Sequence, residues 1–387
     1  MNVLFCNTSD VSELKGGTER ITARISEGLI AMGYKCFLAY KEEIDSELPH
    51  AVFEDKINVT KDSLETFLLK YRFGVIIVQK MTRDVRLLIN IRAKYHLHYK
   101  VISVLHFNPG YEEYKLQFSS FLRDLWQEGG VKNFIRTALY PIYKVGYPLR
   151  NKELYRTVYR YSDRVVLLSA NFIPEYQRYA HLGNESEKFV IIPNALSFND
   201  FLPFNYISRK KKQVLIVSRL DERQKRLSLA IKIWAMIEKV ECLNDWSLKI
   251  VGTGPYLEKY RKQITKQHLC RIELCGRQNP LSYYQESAVF MMTSAFEGWG
   301  LTLTEAQQMG CVPVAFHSFA ALTDIITNGE NGIIVKNNDL QGFANQLAIL
   351  MTNETLRIHM AQKAIDSSKR YQLDTIICQW DKLINER

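Results

Sequence analysis

Two carboxylates, Glu297 and Glu305, bracket a glycine-rich turn in the stretch TSAFEGWGLTLTEAQQMG that runs from Thr293 to Gly310. The apolar run before it, from Val289 to Met292, reads as a buried strand. Gly298 and Gly300 are expected to free the backbone for a tight turn. Thr302 to Met309 suits a helix that Gly310 stops. A strand feeding a helix through glycines aims backbone N–H groups at one point, which is a site for an anion, most often a phosphate. Glu297 sits on the loop and Glu305 about one turn inside the helix, so they cannot share a helix face and are expected to hold different parts of one ligand. Upstream, Arg219 and Lys225 stand in a basic loop, RLDERQKR. Two cations opposite a glycine-opened helix start suit a diphosphate, and a carboxylate near such a start can accept from both hydroxyls of a ribose. The residues alone thus point to a nucleotide diphosphate carrying a further group.

Strands alternating with helices must position these groups. In the second half the expected strands are 213–218, 247–251, 271–275, 289–292, 312–315 and 332–335. At the carboxyl ends of the first four stand Arg219 with Lys225, Gly252 with Gly254, Gly276 with Arg277, and Glu297 through Glu305. Pro255 is placed to open the helix after the Gly252 turn. In a doubly wound α/β sheet, strand ends of this kind line one cleft. The first half repeats the rhythm, with strands at 3–6, 36–40, 75–78, 100–105, 163–168 and 189–192. Gly16-Gly17-Thr18-Glu19 opens a helix carrying Ile21, Ile25, Leu29 and Met32, which Gly33 stops. His106 directly follows the strand at 100–105 and so belongs to the ligand edge. The expected domains are 1–195, a linker at 196–212 ending in Arg209-Lys-Lys-Lys212, 213–370, and a C-terminal segment 371–387 whose helix crosses back to the first domain.

A chain of 387 residues favours two cores, and 47% hydrophobic with 24% charged residues is ordinary for a soluble globular protein. Seven scattered cysteines without a C-x-x-C pair fit reduced, mostly buried thiols in a cytoplasmic protein. No signal or transit segment and no membrane-spanning run is expected. The net charge of +10 implies an anionic partner or a generally solvated basic surface. Residues 111–161 interrupt the rhythm. Lys132, Arg136, Lys144, Arg150, Lys152, Arg156 and Arg160 face only Glu153 between Gly129 and Tyr161, among Phe134, Leu139, Tyr140, Ile142, Tyr143 and Tyr147. Interleaved cations and rings suit an anionic membrane interface. They also suit single-stranded nucleic acid, or an insertion packed on its own domain. The membrane surface is the preferred reading, and nucleic acid is not expected as a partner.

No P-loop, dinucleotide fingerprint, G-x-S-x-G elbow or metal-ligand cluster is present in the sequence. The set Gly16-Gly-Thr-Glu19, Pro193-Asn194, Ser218-Arg-Leu with Lys225, Val251-Gly-Thr-Gly254, Gly276-Arg277 and the Glu-x7-Glu motif from Glu297 to Glu305 resembles the family-4 retaining glycosyltransferases over nearly the whole chain. The resemblance implies the GT-B fold: two facing Rossmann-like domains with parallel sheets, and a C-terminal helix crossing back. It implies that Arg219 and Lys225 neutralise the departing diphosphate, Glu297 binds donor-sugar hydroxyls, and His106 lies beside the transferred sugar. Gly300, Leu301 and Thr302 would donate near the phosphates and Glu305 would hold the ribose. Arg277 would flank the base, and Gly16 and Gly17 would approach the diphosphate. No metal or other cofactor is expected. The donor would be a UDP-sugar or, second, a GDP-sugar. The acceptor would be a glycan or lipid-linked saccharide in bacterial surface-polysaccharide assembly, at the inner face of the cytoplasmic membrane. Trp299 and Thr18 depart mildly from the family pattern, and Trp299 is expected to alter sugar fit. The rival readings are another GT-B enzyme, such as a nucleotide-sugar epimerase, and a non-catalytic carbohydrate- or membrane-binding protein on that scaffold.

Overall fold

The computed structural model describes residues 1–12, 16–43, 51–80, 82–111 and 139–386. The chain divides into two units, Met1–Ala195 with Leu373–Arg387, and Leu196–Gln372.

In the first unit the described strands are β1 (Asn2–Cys6), β2 (Lys35–Tyr40), β3 (Lys56–Asn58), β4 (Val75–Val78), β5 (Lys100–Leu105), β6 (Arg164–Leu167) and β7 (Phe189–Ile191). They form one parallel sheet in the order β3-β2-β1-β4-β5-β6-β7. The described helices are α1 (Gly17–Ala31), α2 (Leu64–Tyr71), α3 (Val85–Lys94), α4 (Tyr140–Tyr161) and α5 (Phe172–Ala180). Apolar runs such as Val75–Val78 are buried throughout because helices cover both faces of such a sheet. The strand β3 escapes the sequence pattern because it is three residues long and begins with a lysine. Order reverses between β1 and β4, which opens a crevice at their carboxyl ends. The C-terminal helix packs on α1, where a Cβ on Gly28 would stand 2.3 Å from Ile377 Cγ1. Tyr34 also donates to Asp381 at 2.5 Å.

In the second unit the strands are β8 (Lys211–Val217), β9 (Ser247–Val251), β10 (Ile272–Gly276), β11 (Ser287–Met292), β12 (Val312–His317) and β13 (Ile333–Lys336). They form a second parallel sheet, β10-β9-β8-β11-β12-β13, with its reversal between β8 and β11. The helices are α6 (Glu222–Lys225), α7 (Leu227–Ile237), α8 (Leu257–Lys266), α9 (Leu281–Glu286), α10 (Leu301–Gln308), α11 (Leu322–Ile325), α12 (Leu340–Thr352) and α13 (Glu354–Ser368). The helix that returns to the first unit is α14 (Leu373–Asn385).

Four expectations need correction. Residues 196–212 are not a solvated linker. Gln308 Nε2 donates to the carbonyls of Phe198 and Asp200, Leu202 N donates to Gln308 O, and Lys211 already begins β8. Lys210 is the reason the basic run misleads. Its ammonium lies among the carbonyls of Tyr284, Gln285 and Ser287 at 2.8, 3.0 and 2.8 Å. Pro255 does not open a helix, since α8 starts at Leu257. The thiols are not mostly buried: Cys6, Cys36 and Cys311 are, but Cys242, Cys270 and Cys378 are exposed on turns and an outer helix face. Of the two glycines in the focal turn, Gly300 alone takes a positive φ, of 89°. Most of the 111–161 insertion, residues 112–138, lies outside the described residues. Its later part is α4, whose second half turns Tyr155, Val158 and Tyr159 into the core, while Leu149 in the first half is exposed.

Candidate functional site

The second unit builds a charged cluster at its switch point. The loop after β8 carries Arg219 and then α6, which Asp221 caps by accepting from Arg223 N at 2.9 Å. The turn at Gly252 makes this loop possible. Gly252 has φ 144°, and a Cβ there would stand 1.8 Å from Ser218 O; one on Gly254 would stand 2.6 Å from Leu220 O. These glycines therefore serve close backbone approach, with Leu220 N donating to Thr253 O, and brace the Arg219 loop rather than open a helix. Arg226 takes a left-handed φ of 50° and turns its guanidinium back to the carbonyls of Thr293 and Ser294 at 2.8 and 2.7 Å. Thr293 Oγ1 in turn donates to Lys225 O. The end of β11 and the short helix α6 are thus fastened together.

That fastening sets Lys225 against Glu297. Lys225 Nζ donates to Glu297 Oε1 at 2.5 Å, with both side chains largely shielded. Gln224, invisible as a functional residue in a run of charges, occupies the gap between them and Arg219. Its Oε1 accepts from Arg219 Nη2 at 3.2 Å, and its Nε2 donates to Glu297 Oε2 at 3.3 Å. Arg219 itself remains mostly exposed. The turn beyond Glu297 ends at Gly300, which precedes α10, so Leu301 and Thr302 present the first amides of that helix, which have no carbonyl within it to bond. Arg277 follows Gly276 at the end of β10 and is exposed.

Two of the expected residues are turned inward. Glu305 is fully buried, on the inward face of α10. Ser197 Oγ donates to its Oε1 at 2.6 Å and Tyr284 Oη to its Oε2 at 2.8 Å. Trp299 also turns inward, only 3% exposed, and meets Tyr371 edge-on with ring centroids 5.1 Å apart. It packs the turn against the segment at 369–371 instead of facing an open sugar site.

The first unit has its own cluster at the β1/β4 reversal. Gly16 precedes α1 and Gly17 begins it. A Cβ on Gly16 would stand 2.5 Å from Glu19 Oε2, so the chain's own carboxylate folds back over this helix start. Glu19 is buried. Desolvation alone would raise its pKa, but Lys80 at 2.7 Å and the Ser9 hydroxyl at 3.0 Å hold it below the ordinary value. His106, following β5, bonds through Nε2 to Gln79 Oε1. Desolvation, with Lys80 adding to it, pushes the imidazole down to about 3, so it is neutral in ordinary buffers. The Gln79 amide thus engages Nε2 and leaves Nδ1 as the second ring nitrogen. Gln79, His106, Lys80 and Tyr155 line a cavity of about 240 Å³. Gln79 is a residue the sequence reading missed. An amide between a strand end and a lysine carries no periodic signal.

Among the described residues, no group of three or more His, Cys, Asp or Glu is placed to hold a metal ion, and no helix is long and apolar enough to cross a membrane.

Comparison with known proteins falls on these same elements. Residues 199–367 match the family model for glycosyl transferases group 1. An uncharacterized glycosyltransferase of Haemophilus influenzae is 24% identical over 95% of this chain and 96% of its own length. The amylovoran biosynthesis glycosyltransferase AmsD of Erwinia amylovora is 32% identical over 46% of this chain, and the match spans 49% of its own length. Among solved structures, HepE of Anabaena in complex with UDP has a TM-score of 0.75 at 16% identity, with 100% of both chains covered. The likeness to HepE shows the fold, GT-B with two parallel-sheet Rossmann-like domains, and the family model and the relatives are glycosyltransferases to which this chain is similar.

Proposed function

We propose that this chain is a retaining glycosyltransferase that moves a sugar from a nucleotide-diphosphate sugar to a glycan or lipid-linked acceptor in bacterial surface-polysaccharide assembly. The observation that carries the reading is the Lys225–Glu297 pair, with Arg219 beside it and the start of α10 just beyond. Cations and helix amides gathered at a switch point favour a diphosphate, and a shielded carboxylate next to them favours sugar hydroxyls. A uridine donor is the first choice, because HepE is complexed with UDP; guanosine is the second.

In this reading the bond from the anomeric carbon to the diphosphate oxygen breaks. The acceptor oxygen bonds to that carbon on the same face, and the departing phosphate takes the acceptor's proton. Arg219 and Lys225 stabilise charge as it develops on the leaving group, and Leu301 and Thr302 add backbone donors. Glu297 orients the sugar. Arg277 flanks the base. A ribose hydroxyl reaches Glu305 by replacing the Ser197 donor. No metal is required, because the two cations take over its electrostatic work.

Thermal stabilisation tests this directly. UDP or a UDP-sugar at saturating concentration should raise the melting temperature, and incubation with a panel of nucleotide sugars should yield slow hydrolysis of one of them. Salt-dependent binding to DNA, with no response to UDP or GDP, would overturn the proposal.

A further inference from the structure

We infer that Gln224 is a positioning residue for transfer: its side-chain amide holds Glu297 when Lys225 turns to the donor's diphosphate. The inference rests on the roles proposed above for Arg219, Lys225 and Glu297.

Gln224 is 8% exposed and uses both ends of its amide. The oxygen accepts from Arg219 Nη2 at 3.2 Å, while Nε2 donates to Glu297 Oε2 and to Phe296 O, each at 3.3 Å. Reversing the amide would set its oxygen against a carboxylate and a carbonyl, and its NH2 against a guanidinium, so only this orientation satisfies all three neighbours. The residue is also fixed at its backbone, where Ala295 N donates to Gln224 O at 2.7 Å. The helix that bears it is held from outside by Tyr260 Oη donating to Glu222 Oε2 at 2.8 Å.

Charge explains why an amide belongs here. Lys225 serves two anions: the Glu297 carboxylate, which it now contacts, and the diphosphate it is proposed to neutralise. A phosphate competes for a lysine because the lysine is cationic. It exerts no comparable pull on a neutral amide, so Gln224 stays on Glu297 as Lys225 leaves. A lysine at 224 would be drawn away as well. A glutamate would face Glu297 across a hydrogen-bond distance, and two carboxylates so close cannot both ionise at ordinary cost. Gln224 is therefore expected to matter for the part of the donor that Glu297 reads, the sugar, and not for the nucleotide.

Variants Q224L and Q224E, compared with the wild type, test this. Binding of UDP and of each UDP-sugar is measured by calorimetry, and transfer or hydrolysis is followed across pH. Q224L should bind UDP like the wild type yet lose about 10- to 100-fold in kcat/KM with the sugar nucleotide, as expected for a lost hydrogen bond to a charged group. Q224E should be nearly inactive at neutral pH and regain activity as pH falls toward about 5, where one proton is shared by the two carboxylates. Equal losses of UDP and UDP-sugar binding, or a Q224E profile parallel to the wild type, would assign Gln224 a merely structural role and overturn the inference. Should Q224L fail to fold, the Q224E pH profile decides alone. If the wild type neither distinguishes UDP-sugars from UDP nor turns one over, the functional reading fails first, and that outcome is recognised without either variant.

Discussion

Lys225 Nζ lies 2.5 Å from Glu297 Oε1, and the pair is largely but not wholly shielded from solvent. Removing one partner strands the other. Lys225→Ala or Glu297→Ala should therefore destabilise the second unit by about 1–3 kcal/mol, below the full cost of breaking a deeply buried pair because some solvent reaches both side chains. Lys225→Ala with Glu297→Ala should be closer to the wild type than the two single losses predict, since no unpaired charge remains. Either single variant should lose transfer by about 10³-fold or more. Urea titrations of all three, with turnover on the same samples, check both parts. Full turnover by a folded single variant would contradict the proposed roles.

Gly252 bears on the same loop from below. With φ 144° and a projected Cβ 1.8 Å from Ser218 O, it tolerates no side chain without moving the backbone of β8. Gly252→Ala should cost about 3 kcal/mol or more, through strain and overpacking together. Because Ser218 leads directly into Arg219, any protein that folds should also lose nucleotide-dependent thermal stabilisation. A variant with wild-type stability would show that the turn can relax.

The strand-loop-helix rhythm is legible in the sequence because fully buried parallel strands such as Val75–Val78 and Ser287–Met292 are nearly free of polar residues. Position at a carboxyl strand end then places Arg219, Glu297 and His106 without knowledge of their contacts. Direction of burial is what the sequence withholds. Arg209-Lys-Lys-Lys212 has the composition of a solvated linker, yet Lys210 caps three carbonyls and Lys211 starts a strand. Spacing from Glu297 marks Glu305 as a candidate, but nothing in the sequence foretells that α10 turns it onto Ser197 and Tyr284. Gln79 and Gln224 are decisive in space and silent in sequence, because a neutral amide has no pattern until its partners are placed.

Acid stability should report on the first unit's cluster. Glu19 has a folded-state pKa below its ordinary 4.5. Its contribution is complete above that value and is lost as pH falls through the folded value. Glu19→Gln should thus be less stable than the wild type near neutrality, with the gap closing on acidification below about pH 5. His106 acts at higher pH. Its folded value is pushed down to about 3 from 6.5, so the unfolded chain takes up the proton first. The wild type should lose stability as pH drops from 6.5 toward 3, and His106→Asn should flatten that limb. Urea midpoints measured at a series of pH values separate the two effects. A parallel decline in wild type and His106→Asn would refute the neutral assignment.

Among the described residues of the 111–161 insertion, the surface suited to an anionic membrane is the first half of α4. The second half is committed inward through Tyr155 and Tyr159. In the first half Leu149 is 61% exposed, with Lys144 and Arg150 exposed beside it. An apolar side chain flanked by cations suits an anionic lipid headgroup layer. Sedimentation with phosphatidylglycerol vesicles should show binding that weakens as salt rises. Lys144→Glu with Arg150→Glu should reduce it by at least the roughly 1 kcal/mol attributed to each basic residue near such a surface. Leu149→Asp should reduce it further at every salt concentration, because the apolar contribution is not screened. Hydrolysis of the nucleotide sugar in solution should be unchanged in all these variants, since the substitutions lie outside both charged clusters. Absence of binding by the wild type at low salt would overturn the membrane-surface reading of residues 111–161 and leave these exposed cations as a solvated helix face.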